Sequence, residues 1–165
     1  MLWEVDVHPQ DAAAPGLLAA GRELGLDLAN GRAATGWLIE CDLDHETVTR
    51  LAERLLTDLV TEFCRVAAVD DPALLATSAA GQPPAGLVLH VLPKPGVTDP
   101  AAESGREAMA LLGVNATAVR SLRKYWLPAG VTAAQAEQLA WKRLASEAIH
   151  ALALNTTVPA DQPTD

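Results

Sequence analysis

This chain has few aromatic, basic or sulfur-bearing residues, and each shortage excludes something. Two cysteines, Cys41 and Cys64, are too few for a disulfide scaffold and lack zinc-ligand spacing. Twelve Lys and Arg against 21 Asp and Glu leave a net charge of −9. That balance argues against a general nucleic-acid binder, which needs a basic face to displace phosphate counterions. No apolar run approaches the roughly 20 residues of a membrane span. The start MLWEVDVHPQ has neither the basic stretch nor the apolar core of a signal peptide. A reduced cytoplasmic protein with no membrane partner is the expectation. Phosphate-cradling glycine motifs are missing too. The four histidines are scattered, without a cysteine or hydroxyl partner at motif spacing. No catalytic residue, metal ligand or cofactor is assigned from the sequence.

What is present is globular. Half of the 165 residues are hydrophobic and a fifth are charged, a composition that folds as one domain or as two small units sharing a core. The charge is uneven. Residues 1–69 carry 12 acids and 5 bases, net −7, and residues 70–165 carry 9 acids and 7 bases, net −2. The boundary falls in DDPALLATSAAGQPPAG, residues 70–86, which lacks helical or strand periodicity and reads as a linker.

Split there, the chain repeats itself at an offset of 88. Gly25 in ELGL matches Gly113 in LLGV, and Leu51, Ala52 and Leu56 match Leu139, Ala140 and Leu144. Each half opens with a strand: Leu2–Val7, with Trp3, Val5 and Val7 on one side, and the more continuously apolar Leu87–Leu92. A helix follows. Its second copy has Asp99 as N-cap, Pro100 at the first helical position and Ala101, Gly105, Ala108, Met109 and Leu112 as the buried stripe. Residues 28–42 are too long for one strand and suggest two, with Thr35-Gly36 as the turn; 120–127 occupies the matching place. Second helices start at Asp44 and at Thr132, the latter in a Thr-Ala-Ala-Gln capping box. The first of them buries Val48, Leu51, Ala52, Leu55, Leu56 and Leu59. Closing strands follow at 62–69 and 149–155. The expected fold is therefore α+β: two tandem ferredoxin-like β-α-β-β-α-β units, 1–69 and 87–155, with pseudo-twofold symmetry and a flexible tail, 156–165. On this reading the cysteines lie on strands flanking the first strand, too far apart to bridge.

Three local features bear on function. The acidic cluster Glu40, Asp42, Asp44, His45 and Glu46 reads as helix capping. HVLPKPGVTDP, residues 90–100, is a strand-to-helix loop four residues longer than its counterpart and stiffened by three prolines. Arg120-Ser121-Leu122-Arg123-Lys124-Tyr125-Trp126 concentrates three bases and two aromatics, the residue types that anchor interfaces.

The second half, with its strand, PKPGVTDP, an alanine-rich helix ending in Leu-Gly, and AVRSLRKYW, resembles the small PurS subunit of phosphoribosylformylglycinamidine synthase. The family's PGV-x-D-P loop maps onto Pro95, Gly96, Val97, Asp99 and Pro100, and its V-R-x-G-K-Y strand onto Val119, Arg120, Lys124 and Tyr125. Arg123 stands where the family has glycine, and the first half lacks the PGV loop. Two such units in one chain resemble the N-terminal domain of the large single-chain synthase. The resemblance implies a non-catalytic unit of purine biosynthesis, a subunit or N-terminal domain of an ATP-dependent amidoligase, that holds the synthetase (PurL) against the glutaminase (PurQ). Its partner-binding residues would be Lys94, Pro95, Gly96, Asp99, Arg120, Arg123, Lys124, Tyr125 and Trp126. The rival reading is an ACT-like regulatory domain that senses a small molecule, although the usual glycine-rich loop after the first strand is missing.

Overall fold

The computed structural model describes residues 1–11 and 13–154; the tail expected at 156–165 lies outside the described residues. The first half comprises β1 (Leu2–Pro9), α1 (Pro15–Glu23), β2 (Arg32–Glu40), α2 (His45–Leu51), which runs on into a π-helical turn at Ala52–Leu56, and β3 (Glu62–Ala68). A 3₁₀ turn, Pro72–Leu75, interrupts the connection. The second half repeats the order: β4 (Val88–Pro93), α3 (Pro100–Leu111), β5 (Ala118–Trp126), α4 (Ala133–Leu139) with its π-helical turn Ala140–Leu144, and β6 (His150–Leu154). Among the described residues, no helix is long and apolar enough to cross a membrane.

Correspondence at 88 residues is close. The second helices begin at His45 and Ala133, their π turns at Ala52 and Ala140, and Gly25 and Gly113 close the first helices with φ of 73° and 79°. The caps expected at Asp44, Asp99 and Thr132 are made. Each side chain accepts a backbone N–H of the first turn, and Thr132 and Gln135 complete the capping box.

Each half has three strands, not four, so its order is β-α-β-α-β. The expected turn at Thr35-Gly36 lies instead in the middle of β2, flanked by β1 on one side and β5 on the other. Gly36 is there because a neighbour needs the space. A Cβ would sit 2.8 Å from the Asp6 carboxylate and 2.9 Å from the Val5 carbonyl. The six strands form one antiparallel sheet in the order β3-β1-β2-β5-β4-β6, joined at its centre by β2 and β5. Cys41 follows β2 and Cys64 lies on β3, on opposite sides of β1 and toward its opposite ends, since Glu40 faces Leu2 and Cys64 faces Val7. They are about six residues out of register as well as two strand spacings apart, and cannot bridge. Both thiols are free, and burial pushes that of Cys64 up.

The helices are exchanged between the halves. Trp3, Val5, Val7 and Ile39 of the first half pack with Val48, Leu51 and Ala52, but also with Met109 of α3. Leu89, Val91 and Tyr125 of the second half pack with Leu139 and Ala140, and with Leu17 and Ala20 of α1. Along α3, Gly105 and Met109 are buried and Ala108 half-buried, as expected, whereas Ala102 is buried in place of Ala101 and Leu112 is exposed. Along α2 the buried residues are Val48, Leu51 and Ala52. Leu55 and Leu56 are half-buried, and Leu59 is exposed because it follows the helix end.

The far side of the sheet is buried as well. Glu4, Asp6 and His8, which alternate with the apolar residues of β1, lie with Leu38, His90, Leu122, Lys124 and Trp126 beneath the connection 70–86. That connection is a strap more than a spacer. Leu74 is fully buried, Leu75 packs against Ala34, Val88 and Trp126, and Arg65 donates to the Ser78 carbonyl.

Because each core borrows a helix from the other half, neither half can bury its own apolar face alone. Residues 1–86 expressed in isolation are expected to give no cooperative thermal transition as a monomer. A sharp monomeric transition by circular dichroism would contradict the exchanged-helix packing.

Candidate functional site

The stiff loop and β5 meet as one surface. Lys94-Pro95-Gly96-Val97 turns with the Val97 N–H donating to the Lys94 carbonyl at 3.1 Å. Proline occupies the second position and glycine, at φ 81°, the third, the pattern of a type II turn. The loop is tied down at both ends. Lys94 donates through its backbone N–H to Ile149 O (2.8 Å) and through Nζ to Glu147 O (2.5 Å), and the Arg120 guanidinium donates to the Pro93 carbonyl. Asp99 does most. Besides capping α3 through the Ala102 N–H (3.1 Å), its carboxylate accepts the Ser121 N–H and hydroxyl, both at 2.8 Å. One side chain therefore fixes the loop, a helix start and a strand, while Lys94, Pro95, Gly96 and Thr98 remain exposed. A cleft of about 390 Å³ lies between this loop, α3 and the start of β5.

The rest of the basic-aromatic segment goes elsewhere, because a strand sends alternate side chains to opposite faces. Arg123 and Tyr125 point to the helix face. Arg123 is half-buried and donates to Tyr125 OH (3.1 Å) and Leu144 O (2.6 Å). Lys124 and Trp126 point to the strap face, where they are 0% and 3% exposed, and Tyr125 is only 8% exposed. Arg120, Lys124, Tyr125 and Trp126 are all buried and belong to the interior of the chain, which corrects their reading as surface anchors.

Lys124 is the centre of a buried ionic cluster. Its ammonium donates to Asp6 Oδ2 (2.6 Å), Glu4 Oε1 (3.0 Å) and the Leu74 carbonyl of the strap (2.5 Å), which uses all three of its hydrogens. It also lies 5.3 Å from the centre of the Trp126 ring, whose Nε1 donates to Leu75 O at 3.0 Å. Burial opposes the charged amine, but the Asp6 and Glu4 carboxylates outweigh it and hold the lysine pKa above its ordinary value. Glu4 is driven well above the usual carboxylate range by burial and then by Asp6. Burial and the neighbouring acid thus favour the uncharged form of Glu4 within this cluster. His8, stacked on Phe63 with ring centres 4.7 Å apart, and His90 flank it. Burial depresses both histidines to about 4, so they stay neutral in the fold.

Of these residues the sequence reading missed Glu4, Asp6 and Ser121 and set the histidines aside. The usable signal was on β5, where Leu122-x-Lys124-x-Trp126 places a lysine between apolar residues at strand period, as a buried cation would be. The acidic cluster at 40–46 is structural in the fold. Asp44 is held below its usual range by the Thr47 hydrogen bond, Glu46 pairs with Arg50, and His45 Nε2 meets Val66 O at 2.8 Å.

Two measurements check the buried cluster. Lys124→Met leaves carboxylates without their cation and is expected to cost about 3–5 kcal/mol; adding Glu4→Gln and Asp6→Asn should recover much of it. The pH dependence follows from the signs. Two histidines lowered to about 4 make stability fall as pH drops from about 6.5 toward 4. The raised Glu4 acts oppositely, with stability falling as pH rises past its unfolded value. Two protons outweigh one, so denaturation midpoints should rise between pH 4.5 and 6.5. His90→Gln should make that dependence shallower by about 1.4 kcal/mol per pH unit; an unchanged slope would show that His90 does not titrate on unfolding.

Compared with known proteins, the chain matches no protein-family model and shows no significant similarity to a curated protein.

Proposed function

We propose that the chain is a non-catalytic docking unit of phosphoribosylformylglycinamidine synthase. It would be built of two PurS-like units, 1–69 and 87–155, and would hold an ATP-dependent synthetase against its glutaminase. The observation that carries this reading is the loop bearing the PGV-x-D-P resemblance. It is exposed, turned by Pro95-Gly96, and locked to α3 and β5 by Asp99. A loop held in one shape loses little conformational entropy on binding, which suits a contact that must set the geometry between two larger partners. Only the second copy has this loop, so the recognition surface is assigned to Lys94–Thr98 with the adjoining cleft. Arg120 and Asp99 act as its internal braces, and Lys124, Tyr125 and Trp126 support it from the interior.

The test is co-purification with the synthetase and glutaminase of the same organism. Both should be retained by the chain. The exposed substitutions Lys94→Glu and Thr98→Arg together should weaken assembly by about 1–3 kcal/mol while the melting temperature stays within a few degrees of the parent. Failure of the parent chain to retain either enzyme would overturn the proposal, and so would full retention by the double variant.

A further inference from the structure

The centre of the helix face holds a second site, which adjoins the base of the docking loop at Pro93 and Ser121. Thr35 and Arg123 are opposite one another in the β2–β5 ladder, and they are also 88 residues apart. The axis relating the halves therefore passes between them. The row continues outward through Val7 and Cys64 on one side and Val91 and Leu152 on the other. The outer members are covered by the two helical layers. The middle is not: Thr35 is exposed, and Trp37, Ser121 and Arg123 are only half-buried. Two cavities of about 290 and 250 Å³ open there, and both are lined by Thr35 and Arg123.

The polar groups around this opening are predominantly donors. Arg123 gives two hydrogens to neutral acceptors, Tyr125 OH and Leu144 O, and among the described residues no carboxylate pairs with it. Its remaining N–H groups are left for a ligand. The Trp37 indole N–H is buried without an acceptor. His150 Nδ1 accepts from the Ser146 N–H, so in the neutral ring its Nε2 carries the hydrogen. Among the described residues, no acid lines the larger cavity. Among the described residues the smaller is lined by one acid, Glu62, which accepts the Asp58 N–H at 2.9 Å and forms no ion pair with Arg123. In a protein of net charge −9, a guanidinium that lines a largely apolar cavity and has no carboxylate partner among the described residues has a definite complement.

We infer that this cavity binds a small monocarboxylate with a short apolar body. Its carboxylate lies against Arg123 and the Thr35 hydroxyl, and its body lies between Trp37 and Val91. The larger volume is at the lower end of the range for small-molecule pockets, which favours an acid with few carbons. Arginine supplies the planar fork that a carboxylate matches.

4-Methylvalerate and phenylacetate are the probes, with 4-methylvaleramide as the uncharged control. Binding is followed by calorimetry and by the ¹⁵N–¹H signals of the tryptophan indoles. Saturable binding of an acid, at least about tenfold weaker binding of the amide, and movement of the Trp37 indole signal are expected. Arg123 also holds Leu144, so Arg123→Gln is paired with Thr35→Val, an exposed substitution that leaves the packing alone. Both should weaken acid binding several-fold while the amide is unaffected. Equal affinity for acid and amide, no saturable binding of either acid at millimolar concentration, or parental binding by a folded Thr35→Val would overturn the site.

Discussion

Along nine cross-strand pairs, from Arg32–Trp126 to Glu40–Ala118, β2 and β5 join what would otherwise be two three-stranded sheets, each with an open inner edge. An exposed edge of unpaired N–H and C=O groups invites pairing with any other strand, and here the duplicated half supplies the partner. The ladder sets the register of everything above and below it. It places α3 over the first half and α1 over the second, because helices that follow the first strand of each half must pack across the joint. It also fixes which side chains share the central row. Displacing β5 by one residue would turn Lys124 and Trp126 to the helix face and leave Asp6 without its cation.

The second device tying the halves together is ionic. Glu4 and Asp6 come from β1, Lys124 from β5 and the Leu74 carbonyl from the strap, so one ammonium bonds three separate parts of the chain. Burying charge is costly, and such clusters seldom add net stability over apolar packing. What this one adds is specificity of arrangement. The lysine has three hydrogens and three acceptors, and any other seating of the strap would leave one hydrogen of a buried ammonium without its acceptor. The flanking histidines fit the same logic. Both lie in ground too dry to accept a proton, and a second cation beside Lys124 would be repelled.

Much of this was legible in the sequence. The offset of 88, the caps at Asp44, Asp99 and Thr132, the apolar side of β1 and the stiffness of the Pro93–Pro100 loop all follow from local rules, and each is visible in the fold. What failed was judgement about the second face. Alternation in Leu2–Val7 reads as a strand with one wet side, and nothing within eight residues says that a strap from residues 70–86 will cover it. Thr35-Gly36 reads as a turn because glycine usually relieves backbone strain. In this sheet it relieves a contact with Asp6, a residue 30 positions away. The basic-aromatic segment was treated as one surface, although strand period divides it between a half-buried Arg123 on the helix face and Arg120, Lys124 and Trp126, which are buried on the other face.

Duplication followed by divergence explains why the two candidate sites differ in character. The loop between the first strand and first helix is longer and richer in proline in one copy only, so any contact it makes has no symmetric twin. At the centre, equivalent positions became threonine and arginine. A twofold-symmetric pair of arginines facing each other across a ladder would repel, and a pair of threonines would carry no charge. The asymmetric pair keeps one guanidinium at the axis with a hydroxyl opposite, beside the two open cavities. A symmetric dimer of single units could not build that arrangement, since any residue on its axis must meet its own copy. Joining the copies into one chain is what allows the centre of the sheet to hold a single, oriented charge.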